Sequence, residues 1–323
     1  GVQGKRAYNV DAVFVKPVGA DYDCHGIKYC PCPDLVHVDG EATVKKFGAL
    51  AARHADTFAG IASLGYDTPG YGYGDKRDGV PVLQTGLAAL AAEFDVPYII
   101  DNAWGVPFIG TDIRKVGCDV IIYSMDKASG APTCGLIIGK EEPMVAIRRA
   151  LGIHGARYGT LSSHGKASSV GFDPGKEALA GALAAMRILK DRPEVALTAL
   201  DDLCRITMEE FEFLPEALKR GWSIYKSPNS LAVELNYQDS WNGQPGIPVF
   251  SMEDMYAGSQ VLQNCMSHMG LIPTIAYDGN IYISNGVGNI DEEGKLLEQP
   301  TRLSVKAMYK SIEVISRYAG LLD

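Results

Sequence analysis

Residues 99–108 read IIDNAWGVPF, and residues 118–132 read CDVIIYSMDKASGAP. Each contains a short apolar run that gives way to a charged side chain, Asp101 in the first and Lys127 in the second, 127 − 101 = 26 residues apart. A buried charge without a partner is costly, so an apolar run that ends in a charge implies a use for it. The runs are continuous rather than alternating, which marks strands covered on both faces.

The same pattern extends in both directions. Residues 9–18 (NVDAVFVKPV) read as a strand, and 20–40 as loop with at most a short strand. EATVKKFGALAARHAD has helical spacing, and TFAGIASLG follows as a buried strand. YDTPGYGYGDKRDG is loop-like, VPVLQTGLAALAAEFDV is a helix and PYIIDNA is a strand. CDVIIYS and TCGLIIG add two strands, and EPMVAIRRALGIHGA returns to helix. This alternation predicts an α/β domain with a mainly parallel sheet covered by helices. Ligands in such sheets bind beyond the carboxyl ends of the strands, where Asp101 and Lys127 both fall.

The pattern changes further on. GKEALAGALAAMRILKD and PEVALTALDDLCRITMEEFEFLPEALKRG read as long helices, the second opening at Pro193 and followed by Gly221. WSIYKS, SLAVELNY and GNIYISNG read as strands, with the helix MEDMYAGSQVLQNCMSHMG between the last two and TRLSVKAMYKSIEVISRYAGLL as a final helix. The expected division is a large domain over residues 1–190 and a smaller α+β domain over 191–323.

The 323 residues include 46% hydrophobic and 21% charged side chains, as in a globular chain rather than a disordered one. No apolar run approaches the roughly 18 residues of a membrane helix, so no membrane partner is expected. The formal net charge of −9 argues against a broad nucleic-acid footprint. Seven scattered cysteines read as reduced thiols in a cytoplasmic protein.

Asp101-Asn102-Ala103-Trp104-Gly105, followed one βαβ unit later by Ser124-Met125-Asp126-Lys127, resembles the large domain of the fold-type I pyridoxal-phosphate enzymes. The resemblance implies four roles. Asp101 would keep the cofactor ring nitrogen protonated, so that the ring remains an electron sink. Lys127 would form a Schiff base with the aldehyde and then move protons at the substrate α-carbon. Ala103 is small enough to pack on a ring face, and Ser124 would hydrogen-bond the phosphate. A Ser-x-x-Lys tetrad also opens the penicillin-binding-protein motif, but the Ser-Asp-Asn partner motif is absent.

EFDVPYIIDNAWGV with VIIYSMDK resembles the O-phosphoseryl-tRNA selenium transferases. GFDPGKEALAGALAAM resembles the helix start of the bacterial selenocysteine synthase and sugar-acid ammonia-lyase group. Both imply elimination or replacement chemistry on an amino acid or a phosphorylated or acidic derivative, in a lyase or transferase. The likeness covers about residues 55–190. Transaminases of this fold hold the substrate carboxylate with an arginine on a short C-terminal strand, where this chain has Tyr282. Cysteine desulfurases carry a reactive cysteine on a loop, whereas Cys265 falls in a helical pattern. An aminotransferase or desulfurase, a non-catalytic scaffold or regulatory subunit, and an unrelated α/β binding protein remain as alternatives.

Arg157 and His164, in the Gly/Ser-rich HGARYGTLSSHGK, are candidate substrate contacts. Cys24, His25, Cys30 and Cys32 form C-H-x4-C-x-C, which matches no common metal-ligand spacing; free thiols are the expectation and metal binding the alternative. No Gly/Ser/Thr-rich helix start that would cradle a phosphate precedes residue 9. The expectation is therefore a large domain incomplete at its N-terminus, completed by a second chain or by homo-oligomerisation. A tRNA partner is implied by the resemblance and opposed by the charge.

Overall fold

The computed structural model describes residues 6–9, 29–31, 39–65, 73–110, 112–127, 129–150, 174–228, 230–236, 255–271, 275–277, 281–286 and 288–322. The first elements are, in chain order, β1 (Arg6–Asn9), β2 (Tyr29–Pro31), α1 (Gly40–Arg53), β3 (Phe58–Leu64), β4 (Lys76–Arg77), β5 (Val80–Pro81), α2 (Val82–Glu93), β6 (Tyr98–Asp101), α3 (Ile113–Val116), β7 (Val120–Ser124), β8 (Gly135–Gly139) and α4 (Glu141–Ala150). Then follow α5 (Lys176–Asp191), α6 (Glu194–Phe211), α7 (Glu216–Lys219), β9 (Ser223–Lys226), β10 (Ala232–Asn236), α8 (Met255–His268), β11 (Ile275–Tyr277), β12 (Ile281–Ser284) and α9 (Glu298–Tyr318).

Six strands form one sheet in the order β2-β1-β3-β6-β7-β8. All neighbours are parallel except β7 and β8, which the short turn at 125–134 joins as an antiparallel pair. The register pairs Leu64 with Asp101 and Asp101 with Ile122. Side chains alternate along a strand, so Leu64, Ile99, Asp101, Ile122 and Ser124 share one face. Ile61, Ser63, Tyr98, Ile100, Ile121 and Tyr123 share the other.

The second face carries the first core. Its buried apolar members pack with Phe47 and Ala51 of α1, Leu83 and Leu87 of α2, and Ala182 of α5. Two polar groups there are satisfied internally. The Ser63 and Tyr98 hydroxyls meet at 2.7 Å, and the Gln84 side-chain amide donates to the Leu64 carbonyl at 3.2 Å. Helix α1 starts where the Asp39 carboxylate accepts from the Ala42 amide at 2.7 Å.

The second sheet runs β11-β12-β10-β9, antiparallel throughout. One of its faces, with Val233, Leu235, Ile281 and Ile283, packs on Leu203 and Ile206 of α6, Leu262 and Met266 of α8, and Met308 and Ile312 of α9. Helices α6 and α9 are also bridged by Arg302, which donates to Glu209, Glu210 and Glu298, each at 2.7 Å.

Three sequence expectations change. The loop-like GYGDKRDG contains the β4–β5 hairpin, because Asp78 and Gly79 both take positive φ and close a two-residue turn. The long helix expected from residue 193 to the glycine at 221 is broken between α6 and α7. Pro215 lacks the N–H that would continue the ladder and disfavours helical backbone at Leu214. Residues 275–277, which carried no strand expectation, pair as a strand, while 29–31 form the short strand allowed within 20–40. The strand expected over 9–18 overlaps β1 only at Asn9; residues 10–28 lie outside the described set.

Helices α1 and α2 approach through glycine. A Cβ on Gly86 would lie 2.5 Å from Cγ2 of Val44, a side chain with little rotamer freedom. Alanine is the better helix former by about 1 kcal/mol. Overpacking costs roughly 1–3 kcal/mol. Gly86→Ala is therefore expected to destabilise on balance, read as a lower urea midpoint at unchanged slope; a gain in midpoint would show that the helices separate without penalty.

Candidate functional site

Asp101 is the last residue of β6, and its side chain is exposed. Its backbone carbonyl accepts from Gly65 at 2.8 Å, fixing the strand end against the end of β3. Carboxylate Oδ1 accepts from the Ala103 amide at 3.1 Å, an aspartate turn that folds the chain back over the strand. Among the described residues, no other hydrogen bond engages that carboxylate. The register sets Asp101 beside Ile122, so Asp101 and Ser124 project from the same face of adjacent strands, which lie about 4.8 Å apart.

The turn after β7 hangs from Met125, which is fully buried. Its amide donates to the Cys134 carbonyl at 2.9 Å. Its own carbonyl accepts from the Ala131 amide at 2.8 Å and from the Ser129 hydroxyl at 2.6 Å. Gly130 takes a φ of +67° and donates to the Lys127 carbonyl at 3.1 Å, closing the turn. Anchoring through Met125 leaves Asp126 and Lys127 exposed. The Ser124 hydroxyl donates to the Asp126 carboxylate. That bond, with smaller contributions from Thr133 and the Lys127 charge, holds the Asp126 carboxyl below its usual range against a modest cost of burial. Asp126 is thus an anion throughout the neutral range.

The Lys127 ammonium lies 5.1 Å from the centre of the Trp104 ring, above its face. Trp104 in turn stacks on Tyr282 of β12, with ring centres 5.9 Å apart and planes 28° from parallel. Tyr282 is buried with Leu64 and Ala232, so this aromatic pair joins the carboxyl end of the large sheet to the free face of the small one. Glu234, opposite Tyr282 in register and fully buried, lies on that same face.

The structure therefore gathers Asp101, Ala103, Ser124 and Lys127 around the ends of β6 and β7. Arg157 and His164 lie outside the described residues. So do Cys24, His25 and Cys32, while Cys30 is placed only as backbone within β2. Among the described residues no group of three or more His, Cys, Asp or Glu side chains could hold a metal ion. Sequence reasoning did not single out Trp104, Asp126 or Glu234 as site residues. For Trp104 the signal was an aromatic directly after the small Ala103, inside the motif itself.

The donor set fits pyridoxal phosphate at two of its three ends. An exposed carboxylate can meet a protonated ring nitrogen, and an exposed amine can meet an aldehyde. At the phosphate end the hydroxyl of Ser124 is directed to Asp126 instead of outward.

No family model matches the chain. Two curated proteins resemble part of it, both described as L-seryl-tRNA(Sec) selenium transferase. The Hyphomonas neptunium protein is 27% identical over 139 residues, and the Nitratidesulfovibrio vulgaris protein is 31% identical over 134. Each match takes in 36% of this chain and 28% of the relative, so the matched stretch spans under a third of those proteins. Solved structures align over nearly the whole chain. A SepCysS–SepCysE N-terminal domain complex has a TM-score of 0.55 at 14% identity, covering 97% of this chain and 76% of that one. The Escherichia coli cysteine desulfurase CsdA scores 0.54 at 14%, covering 96% and 72%. An omega transaminase from Pseudomonas jessenii, in complex with PMP, scores 0.56 at 14%, covering 99% and 70%. The chain has the fold of the fold-type I pyridoxal-phosphate enzymes. No helix among the described residues is long and apolar enough to cross a membrane.

Trp104→Ala removes both the stack on Tyr282 and the apolar contact with Leu64. It is expected to cost roughly 2–3 kcal/mol of stability, of which the ring–ring geometry accounts for about 1. Trp104→Phe is expected to recover about half. Urea unfolding checks both; a Trp104→Ala protein as stable as the parent would mean that the two domains do not meet through this pair.

Proposed function

We propose that this chain is a pyridoxal-phosphate-dependent lyase or transferase acting on an amino acid or on a phosphorylated or acidic amino-acid derivative, by elimination or replacement. The observation that carries the reading is the placement of Asp101 and Ser124 on one sheet face, at the carboxyl ends of adjacent parallel strands, with Lys127 on the turn just beyond. The fold and its relatives support the cofactor.

When bound, pyridoxal phosphate supplies a sink for negative charge at the substrate α-carbon. Asp101 holds a proton at the ring nitrogen, through the carboxylate oxygen that the Ala103 amide leaves open. Ala103 offers a small side chain against the ring. Lys127 would hold the cofactor aldehyde through its amine, and the same amine would move a proton at the substrate α-carbon. To reach the aldehyde it leaves the face of Trp104, and the Trp104–Tyr282 wall keeps water from that side of the amine.

Two observations support elimination or replacement over the alternatives. The face of the second sheet that meets Trp104 carries Tyr282, which is no cation that would clamp a free substrate carboxylate as in transamination. Cys118, Cys134 and Cys204 also make poor sulfur carriers. Burial pushes the Cys118 thiol up to about 11 and raises those of Cys134 and Cys204, which disfavours the reactive thiolate. The curated relatives' description, a selenium transferase acting on a seryl group, supports replacement at an amino-acid side chain. Assembly with a second copy or a partner chain belongs to the same proposal, supported by the two-component complex among the structural neighbours.

A second reading, a scaffold that kept the fold without the reaction, draws on one observation: the phosphate-side hydroxyl of Ser124 is engaged by an anion. Cofactor titration separates the two. The native protein is expected to develop a visible absorbance band with pyridoxal phosphate that Lys127→Ala lacks, and Asp101→Asn to keep the band but turn over roughly 10²-fold more slowly. A native protein with no band would leave the scaffold reading standing. Asp126→Ala frees the Ser124 hydroxyl and removes a negative charge, so its affinity for pyridoxal phosphate is expected to rise about tenfold. An unchanged dissociation constant would show that the pair does not oppose the phosphate.

A further inference from the structure

Asn102 follows Asp101 but points the opposite way, into the face that carries Tyr123, and its side chain is only 5% exposed. Its backbone ties three segments together. The amide donates to the Ile122 carbonyl at 2.8 Å, and the carbonyl accepts from the Gly105 amide at 2.9 Å. The side chain occupies a slot made by two glycines. A Cβ on Gly65 would fall 2.5 Å from Cβ, Cγ and Oδ1 of Asn102, and a Cβ on Gly105 would fall 2.2 Å from its Nδ2. No residue other than glycine fits either position while Asn102 stays where it is. The side-chain amide faces the Tyr123 hydroxyl and offsets part of the rise that burial causes in its pKa, whereas Oδ1 is buried without a hydrogen-bond partner among the described residues. A buried amide oxygen left unsatisfied is unfavourable and calls for a compensating role.

We propose that Asn102 is a positioning residue, a wedge between Gly65 and Gly105 that fixes the Asp101 carboxylate and the Trp104 indole in one relative orientation. The assignment rests on the reading of Asp101 as the partner of the cofactor ring. Asp101, Ala103 and Trp104 make no hydrogen bond to β7 through their side chains among the described residues; Asn102 makes the link for them. Its amide pins the corner to Ile122, its side chain fills the slot between Gly65 and Gly105, and its carbonyl closes the turn that carries Trp104 under Lys127. Asp101 and Trp104 are thereby held on one corner, with the Lys127 ammonium over the Trp104 ring.

The test uses the full chain with Trp222→Phe and Trp241→Phe, which leaves Trp104 as the sole tryptophan. In that background Asn102→Ala is expected to expose Trp104, seen as stronger acrylamide quenching of its fluorescence without any cofactor. It is also expected to weaken pyridoxal phosphate binding about tenfold. Gly105→Ala should do the same, and Gly105→Ala with Asn102→Ala should be no worse than either alone, because removing the wedge makes room for the added methyl. If Asn102→Ala does not fold, Asn102→Ser is read in the same way. Unchanged quenching and unchanged cofactor affinity, with only a lower melting temperature, would overturn the proposal and leave Asn102 a packing residue. A parent protein that binds no cofactor at all would remove the cofactor reading, while the quenching comparison still decides whether Asn102 orients Trp104.

Discussion

Everything at the site depends on the parallel register between β6 and β7. With Asp101 opposite Ile122, the even alternation of side chains sends Asp101 and Ser124 to one face and Ile100, Ile121 and Tyr123 to the helix-covered core. A slip of one residue would bury the carboxylate against α2 and expose a row of isoleucines. The core therefore enforces the site. Leu83, Leu87 and Phe47 pack against apolar groups on their side of the sheet, where the few polar groups are satisfied internally, and Asp101 and Ser124 lie on the other.

Around that register the chain spends its polar groups locally. Strand ends expose backbone groups that need partners, and here each finds one: Gln84 meets the last carbonyl of β3, Gly65 that of β6, and Asn102 reaches across to β7. Met125 does the same for the lysine turn by burying its side chain and using both its backbone groups. The result is that Lys127 is carried on a rigid turn while its own side chain stays exposed. It lies on an aromatic face that the small domain supports from behind. The Lys127 ammonium and the contact between the two sheets thus share one indole ring.

Much of the large sheet was legible in the sequence because its strands are continuous apolar runs, FAGIASL, YIID and VIIYS, that differ from the helical spacing of their neighbours. Asp101 and Lys127 stood out for the same reason, as charges that end such runs. What was not legible depended on pairings distant in sequence or on single residues that override a pattern. Pro215 stops a helix whose apolar periodicity continues past it. The Asp78-Gly79 turn was hidden in a stretch whose glycines and tyrosines suggested loop alone. The stacking of Trp104 on Tyr282, and the fit of Asn102 between two glycines, exist only once three strands and two domains have come together. The commitment of Ser124 to Asp126 needs a turn geometry that spacing does not encode.

The most direct measurement is to reduce the native protein with borohydride in the presence of pyridoxal phosphate and to map the modified peptide by mass spectrometry. A single adduct on the peptide carrying Lys127, lost on competition with a substrate amine, is the predicted result. Modification scattered over surface lysines, or none at Lys127, would contradict the assignment of the β6–β7 corner as a pyridoxal-phosphate site.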